Sequence, residues 1–328
     1  MKKILGALLL LLLAAAGSAF GYLYLRKPAI APPAEIKIEM TPGRIARGKY
    51  LFQILMACDG CHSQHDETRF GRPVVEAGRG RGFQFPGEFD MPGTVVAPNI
   101  TPDRETGIGA WTDGEKIRAI REGIGRDGRA LFPLMPYTNY RFMSDEDVHA
   151  LVAYLNSLPP VRNLLPRTEL EFPVSLMIKT VPQPAGTVVA PPRSDRFKYG
   201  EYLATLAYCA DCHTPVENGR PVLSKRLAGG REFRTPWGNV VTGNITPDAD
   251  TGIGKWSEQQ FLEKVYQYRE YVEKGSPEVG PESFTLMPWL AFAQLPPEDL
   301  GAIYTYLMRQ PPVHNAVETH PGQPRKTS

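Results

Sequence analysis

The chain has 328 residues, 42% of them hydrophobic, and carries 32 prolines and 31 glycines. Its length suggests about two domains, and its turn residues call for short elements joined by long loops. Basic residues number 37 and acidic ones 35; the first 27 residues hold four basic and no acidic side chains, so the net charge of +2 falls to −2 without them, a near-neutral balance that excludes nucleic acid as the expected partner.

The amino-terminal segment begins with Lys2-Lys3, runs apolar from Ile4 to Leu13 and continues through small residues from Ala14 to Ala19. It ends in Phe20-Gly21-Tyr22-Leu23-Tyr24-Leu25. A basic start, a short apolar run and small residues near Ala16 to Ala19 also describe a cleavable secretory signal. Ile4 to Leu25 is long enough to cross about 30 Å of hydrocarbon, with Tyr22 and Tyr24 at the far interface. An uncleaved anchor over residues 1–27 is the expectation, in the bacterial inner membrane. Both readings export the rest to the periplasm. Residues 28–43 contain Pro28, Pro32, Pro33 and Pro42 and read as an extended tether rather than a packed element.

From Arg44 the chain repeats itself. Gly48-Lys49-Tyr50-Leu51 returns as Gly200-Glu201-Tyr202-Leu203, and Asn99-Ile100-Thr101-Pro102-Asp103 as Asn244-Ile245-Thr246-Pro247-Asp248. Thr106-Gly107-Ile108-Gly109 with Trp111 matches Thr251-Gly252-Ile253-Gly254 with Trp256, and Leu134-Met135-Pro136 matches Leu286-Met287-Pro288. The offset drifts only from 145 to 152 residues. Two tandem units are therefore expected, at 44–160 and 194–314, joined by a proline-rich linker at 161–193 and followed by a polar, disordered tail at 315–328. In each, a helix leads into a cysteine motif. A second helix follows the Trp (Asp113 to Glu122, Glu258 to Lys274), and a third closes the unit (Ser144 to Leu158, Pro296 to Gln310). Ser144 is the N-cap of the first closing helix, with Asp145, Glu146 and Asp147 in its first turn. The second unit is about seven residues longer between Trp and Met, and Gly275, Pro277, Gly280 and Pro281 place that length in a loop. The apolar patch Phe172 to Ile178 lies in the linker without any repeat motif.

Cys58-Asp59-Gly60-Cys61-His62 and Cys209-Ala210-Asp211-Cys212-His213 both read C-x-x-C-H, the attachment signature of a c-type haem. Thiols three positions apart lie about one helical turn apart, so Cys58 and Cys61, or Cys209 and Cys212, can add to two vinyl groups on one porphyrin edge. The next residue then aims its imidazole at the iron. A disulfide or a converged zinc site leaves His62 and His213 unexplained, and a thioredoxin-like pair expects a βαβ setting. Two covalent haem c groups follow, with His62 and His213 as proximal ligands. Met135 and Met287, 73 and 74 residues after those histidines in the same Leu-Met-Pro context, are the expected second ligands. Met91 competes in the first unit but has no counterpart in the second, where Trp237-Gly238 stands; Met56, Met143, Met177 and Met308 read as core or surface. A thioether opposite imidazole raises the reduction potential and closes the sixth position, which suits electron transfer. Asn99, Asn244, Trp111 and Trp256 are candidate haem-pocket residues, the asparagines fixing a loop over the haem edge. Arg79, Arg118, Arg121 and Arg231 are candidate propionate partners or solvated charges, and His65, His149, His314 and His320 are expected at the surface.

The run Asn-Ile-Thr-Pro-Asp-x-x-Thr-Gly-Ile-Gly-x-Trp followed by Leu-Met-Pro, over about residues 44 to 314, resembles the multihaem cytochrome c subunits of bacterial membrane-bound alcohol, gluconate and related periplasmic dehydrogenases. The resemblance implies mainly α structure as two tandem class I cytochrome c domains. It also implies His/Met haems and electron passage from a dehydrogenase subunit towards quinone or a terminal oxidase. Such subunits usually have three haem domains and a carboxyl-terminal membrane attachment; here there are two units and an amino-terminal apolar helix, so quinone reduction is not carried over. The leading expectation is a membrane-tethered dihaem electron carrier between a dehydrogenase or other donor and a respiratory complex or oxidase. The alternative is a catalytic dihaem enzyme, such as a peroxidase or small-substrate dehydrogenase.

Overall fold

The computed structural model describes residues 2–321 apart from 90, 218, 236–237 and 280–283. Trp237, Gly280 and Pro281, singled out above, lie outside the described residues, as do 322–328 of the tail. The chain is mainly helical. Helix α1 (Lys2–Leu25) has 24 residues, none of them buried. The segment after it is extended, as its prolines require, and mostly exposed, but it is pinned to the body at Ile38. Ile38 is only 3% exposed, and its N–H donates to the Asp113 carboxylate at 2.8 Å.

Thr41 caps α2 (Pro42–Tyr50) by accepting from the Arg44 N–H, with proline in the first turn where no amide is needed. One π turn (Leu51–Leu55) follows, then α3 (Asp59–His62). Next come α4 (Asp113–Glu122), α5 (Tyr137–Tyr140) and α6 (Asp145–Ser157), and in the linker the single turn α7 (Val174–Met177). The repeat returns as α8 (Arg196–Leu206), α9 (Cys209–His213), α10 (Glu258–Tyr266), α11 (Arg269–Lys274), α12 (Trp289–Phe292) and α13 (Pro297–Leu307). Short two-stranded antiparallel ladders, the longest pairing Glu232–Thr235 with Gly238–Val241, stiffen the loops. Capping boxes start α4 at Thr112–Glu115 and α10 at Ser257–Gln260. The expected helix from Glu258 to Lys274 is two helices. The chain breaks at Gln267–Tyr268, where the Tyr268 ring is stacked between Phe70 and Trp289 at 5.3 and 5.0 Å.

Each unit is built on one helix crossing. A Cβ on Gly48 in α2 would overlap the Ala150 carbonyl of α6, and one on Gly200 in α8 would overlap the Ala302 carbonyl of α13. Only glycine permits these approaches. The two crossings do not stand apart as self-contained cores. Phe52, Leu55, Val148 and Leu151 belong to one continuous buried cluster with Leu203, Leu206, Leu300 and Ile303.

The interface is nearly two-fold. The Tyr50 hydroxyl donates to Asp299 at 2.5 Å, and the Tyr202 hydroxyl donates to Asp147 at 2.6 Å. Tyr50 corresponds to Tyr202 in the repeat and Asp147 to Asp299, so each unit gives the other the same bond. Arg47 holds Asp147 through two 2.8 Å bonds, and Arg193 holds Asp299 at 2.9 Å. The extra loop of the second unit breaks the symmetry by binding the first. The Phe70 N–H donates to the Pro277 carbonyl at 2.9 Å, and the Val279 N–H to the Thr68 carbonyl at 3.0 Å. The tail begins ordered, contrary to expectation. Asn315 donates to Thr251 and to the Ala228 carbonyl, both at 2.9 Å, and the Thr319 carbonyl accepts from Val241 at 2.9 Å.

Candidate functional site

The residue before each first cysteine has left-handed backbone: Ala57 at φ 45° and Tyr208 at φ 44°. Neither is glycine, so both sites hold the same uncommon kink, which turns the preceding helix into the short one that carries the motif. Cys58 and Cys61 thereby lie about a turn apart at α3, and Cys209 and Cys212 at α9. None of the four is joined to another in a disulfide. Burial pushes Cys61 and Cys212 up to about 11 and Cys209 to about 12, and raises Cys58 as well. Across the interface, Asn139 Nδ2 donates to the Asp211 carboxylate of the second motif at 2.8 Å.

His62 Nδ1 lies 2.9 Å from the Pro98 carbonyl and His213 Nδ1 lies 2.7 Å from the Gly243 carbonyl. A carbonyl only accepts, so Nδ1 carries the proton in both rings and Nε2 keeps its lone pair. Burial lowers both imidazole pKa values, outweighing the opposing backbone bond, and holds the rings in the neutral form that binds a metal. Behind each ring the backbone is tied in the same way: the His62 carbonyl accepts from Gly82 at 2.8 Å and that of His213 from Gly229 at 2.7 Å.

Met135 and Met287 stand in matching turns. Each is followed by a proline, at φ −79°, ψ 51° for Pro136 and φ −78°, ψ 61° for Pro288, that caps the next single-turn helix. Both side chains, like Cys58, Cys209, Trp111 and Trp256, are partly buried against the core cluster. Met91, by contrast, sits beside the ladder of Gly93–Thr94 and Glu169–Leu170. Met56 and Met143 are buried in the core, and Met177 is exposed.

Asn99 and Asn244 are fully occupied within the protein. Asn99 Oδ1 accepts from the Thr101 amide and hydroxyl, while Nδ2 donates to Thr106 Oγ1 and the Val161 carbonyl. Asn244 does the same with Thr246, Thr251 and Val313. They pin the motif loop to the segment after the closing helix. The four candidate arginines are engaged as well, although Nε of Arg118 and of Arg121 has no partner among the described residues, and these two side chains are buried rather than solvated. Arg79 pairs with Asp59 and Glu76; Arg118 donates to the Gly125 carbonyl, Arg121 to Asp145 and the Gly186 carbonyl, and Arg231 to the Asp211 carbonyl. His65 is half-buried, its ring held between the Asp59 and Arg72 carbonyls at 2.8 and 2.5 Å. His149 is half-buried 4.0 Å from Glu146 and His320 is half-buried too, whereas His314 is exposed.

The donor set fits a covalently bound haem in each unit: two thiols on one turn, an adjacent imidazole with Nε2 free and Nδ1 anchored, and a thioether on a turn against the same core. Among the described residues no three His, Cys, Asp or Glu side chains group as another metal site would need.

The Cytochrome c family model matches residues 45–159. A diheme cytochrome c-type protein of Cereibacter sphaeroides is 31% identical over 318 residues, covering 94% of this chain and 97% of that one. The fructose dehydrogenase cytochrome subunit of Gluconobacter japonicus is 32% identical over 305 residues, 87% of this chain and 57% of the relative. The cytochrome c subunit of the quinone-dependent alcohol dehydrogenase of Gluconobacter oxydans is 30% identical over 233 residues, 66% of this chain and 45% of the relative. Apart from the Cereibacter protein, the chain spans between 18% and 57% of the curated relatives it matches.

Proposed function

The chain belongs to the c-type cytochromes, the family of the diheme protein it matches end to end, and from that premise we propose that it is a membrane-tethered dihaem electron carrier. Its relatives include the cytochrome subunits of fructose, alcohol and gluconate dehydrogenases, which supports electron transfer rather than catalysis as the role of this chain. In this reading residues 44–160 and 194–314 are two cytochrome domains joined by 161–193. Cys58 and Cys61 would hold one haem, with His62 and Met135 as ligands to its iron. Cys209 and Cys212 would hold the other, with His213 and Met287 in the same roles. When bound, each group supplies a reversible one-electron couple.

The chain's own residues set how that couple works. Pro98 and Gly243 carbonyls orient the imidazoles, so that reduction and oxidation need little reorganisation. The thioethers favour the ferrous state and leave no open coordination position. Asn99 and Asn244 hold the loops, and Trp111 and Trp256 pack on the same core, their indoles being candidate propionate donors. The observation that carries the reading is the recurrence, in both units, of a Nδ1-anchored histidine behind C-x-x-C and a methionine in an identical turn. The donor is a periplasmic dehydrogenase subunit or a comparable redox protein, and the acceptor a respiratory complex or oxidase. The segment 1–27, built around helix α1, holds the protein to the inner membrane with the globular part in the periplasm; the absence of any buried residue in α1 supports this.

A potentiometric titration followed optically, with a carbon monoxide challenge of the reduced protein, tests the proposal. Two low-spin, carbon-monoxide-inert haems of raised potential are expected. A haem that binds carbon monoxide, or titrates at low potential, would overturn the paired His/Met assignment and favour catalysis.

A further inference from the structure

Phe172 is 70% exposed and Met177, the last residue of α7, 56%, and α7 buries none of its residues. This apolar patch of the linker lies against the last turns of α1. The rings of Phe20 and Phe172 are 6.2 Å apart, and Lys179 Nζ donates to the Tyr24 carbonyl at 3.0 Å with the Tyr24 ring 5.8 Å away. Phe20 precedes Leu25 by five residues, so at the rise of a helix the Phe20 beside which Phe172 sits lies about 8 Å inside the end of α1. An interfacial element buries its apolar face by roughly 5–10 Å, the same depth. The charges agree with this placement, because Lys179 and the Arg26-Lys27 pair that ends the anchor are suited to anionic lipid phosphates.

We infer that residues 172–179 are a second membrane contact, a short interfacial element that enters the outer leaflet beside α1. The patch is tied to the body of the first unit. Glu169–Leu170 pairs with Gly93–Thr94, and further on the Gly186 carbonyl accepts from Arg121 at 2.6 Å. A single helix leaves the periplasmic body free to rotate about the helix axis. A second contact rigidly joined to that body fixes which face meets the bilayer and which meets a redox partner.

The inference rests on α1 being an anchor, and the test separates the two. Full-length M177C and L164C variants, the latter at a site 83% exposed in the linker, are placed in phosphatidylcholine–phosphatidylglycerol nanodiscs and treated with a charged maleimide. Mass spectrometry then reads both the extent of labelling and whether residues 1–27 are present, with an unchanged haem spectrum as the folding control. With α1 present, position 177 should label roughly tenfold more slowly than 164, the factor expected for burying one Met-sized apolar side chain. Equal labelling would overturn the contact while leaving the anchor intact, and would point to a protein as the cover for the patch. If α1 has been removed, the anchor reading fails by itself, and the processed chain is floated with vesicles of the same lipids. Binding that is lost in F172S/M177S sustains the contact; no binding overturns it.

Discussion

His62 and His213 show how little the ligating residue decides alone: each is aimed by a carbonyl some 30 positions away, at Pro98 or Gly243. The methionines act through chemistry that a single substitution removes. M287A should open one iron and lower its potential while leaving the other haem nearly unchanged, because a thioether stabilises the ferrous state; the redox titration and the visible spectrum read both effects. Asn244 acts through packing, so N244A should leave the potentials almost untouched. It should destabilise the fold by about 1–3 kcal/mol for each buried group left without its partner at Thr246 or Val313, as measured by chemical denaturation. Asp248 contributes through its ionised form. The Thr251 hydroxyl and amide hold its carboxyl below the usual range, and the Thr106 amide and hydroxyl do the same for Asp103. A depressed carboxyl stabilises above its unfolded pKa and loses that contribution as pH falls through the folded value. D248N should therefore flatten the acid side of a melting-temperature profile. The asparagines stood out in the sequence because they recur. The arginines did not reveal their role, since a buried Arg121 on Asp145 and a solvated one have the same local sequence.

At the scale of elements, local patterns were legible where they close on themselves. Helix α4 spans Asp113–Glu122 as read, and Ser144 caps α6 by accepting from the Asp147 amide. The long helix expected from Glu258 divides because Tyr268 packs on Phe70, nearly 200 residues earlier. Gly48 and Gly200 were visible as a repeated letter, but their reason is the crossing of α2 with α6 and of α8 with α13. G48A and G200A should each lower stability by about 1–3 kcal/mol or more, since the overlapping atom is a helix carbonyl that cannot turn aside. Thermal unfolding of the holoprotein would show it, and an unchanged midpoint would mean that the crossing is looser than described.

Across the whole molecule, the reciprocal Tyr50–Asp299 and Tyr202–Asp147 bonds fasten the two units into one body. Burial raises both phenol pKa values, and the facing carboxylates raise them further. A group whose folded pKa is raised stabilises fully below its unfolded value, near pH 10 for a phenol, and loses that contribution as pH rises through the folded value. Y50F and Y202F should each remove about 1.5–3 kcal/mol near neutral pH, as expected for a hydrogen bond to a charged partner. They should also weaken the alkaline fall in stability, readable from denaturation curves between neutral and alkaline pH. If the units were independent, neither change would alter the unfolding of the opposite unit.

The amino-acid order by itself determined the family, the mainly helical character and the apolar amino-terminal helix, together with the caps and turns of individual elements. These rest on spacings within a few residues and on a pattern written twice. The tertiary structure alone decided that the cores merge, that the extra loop of one unit clasps the other and that buried arginines serve backbone carbonyls. It also laid the linker patch on the end of α1. Each of these depends on groups brought together from distant parts of the chain, where no local periodicity or propensity records the partner.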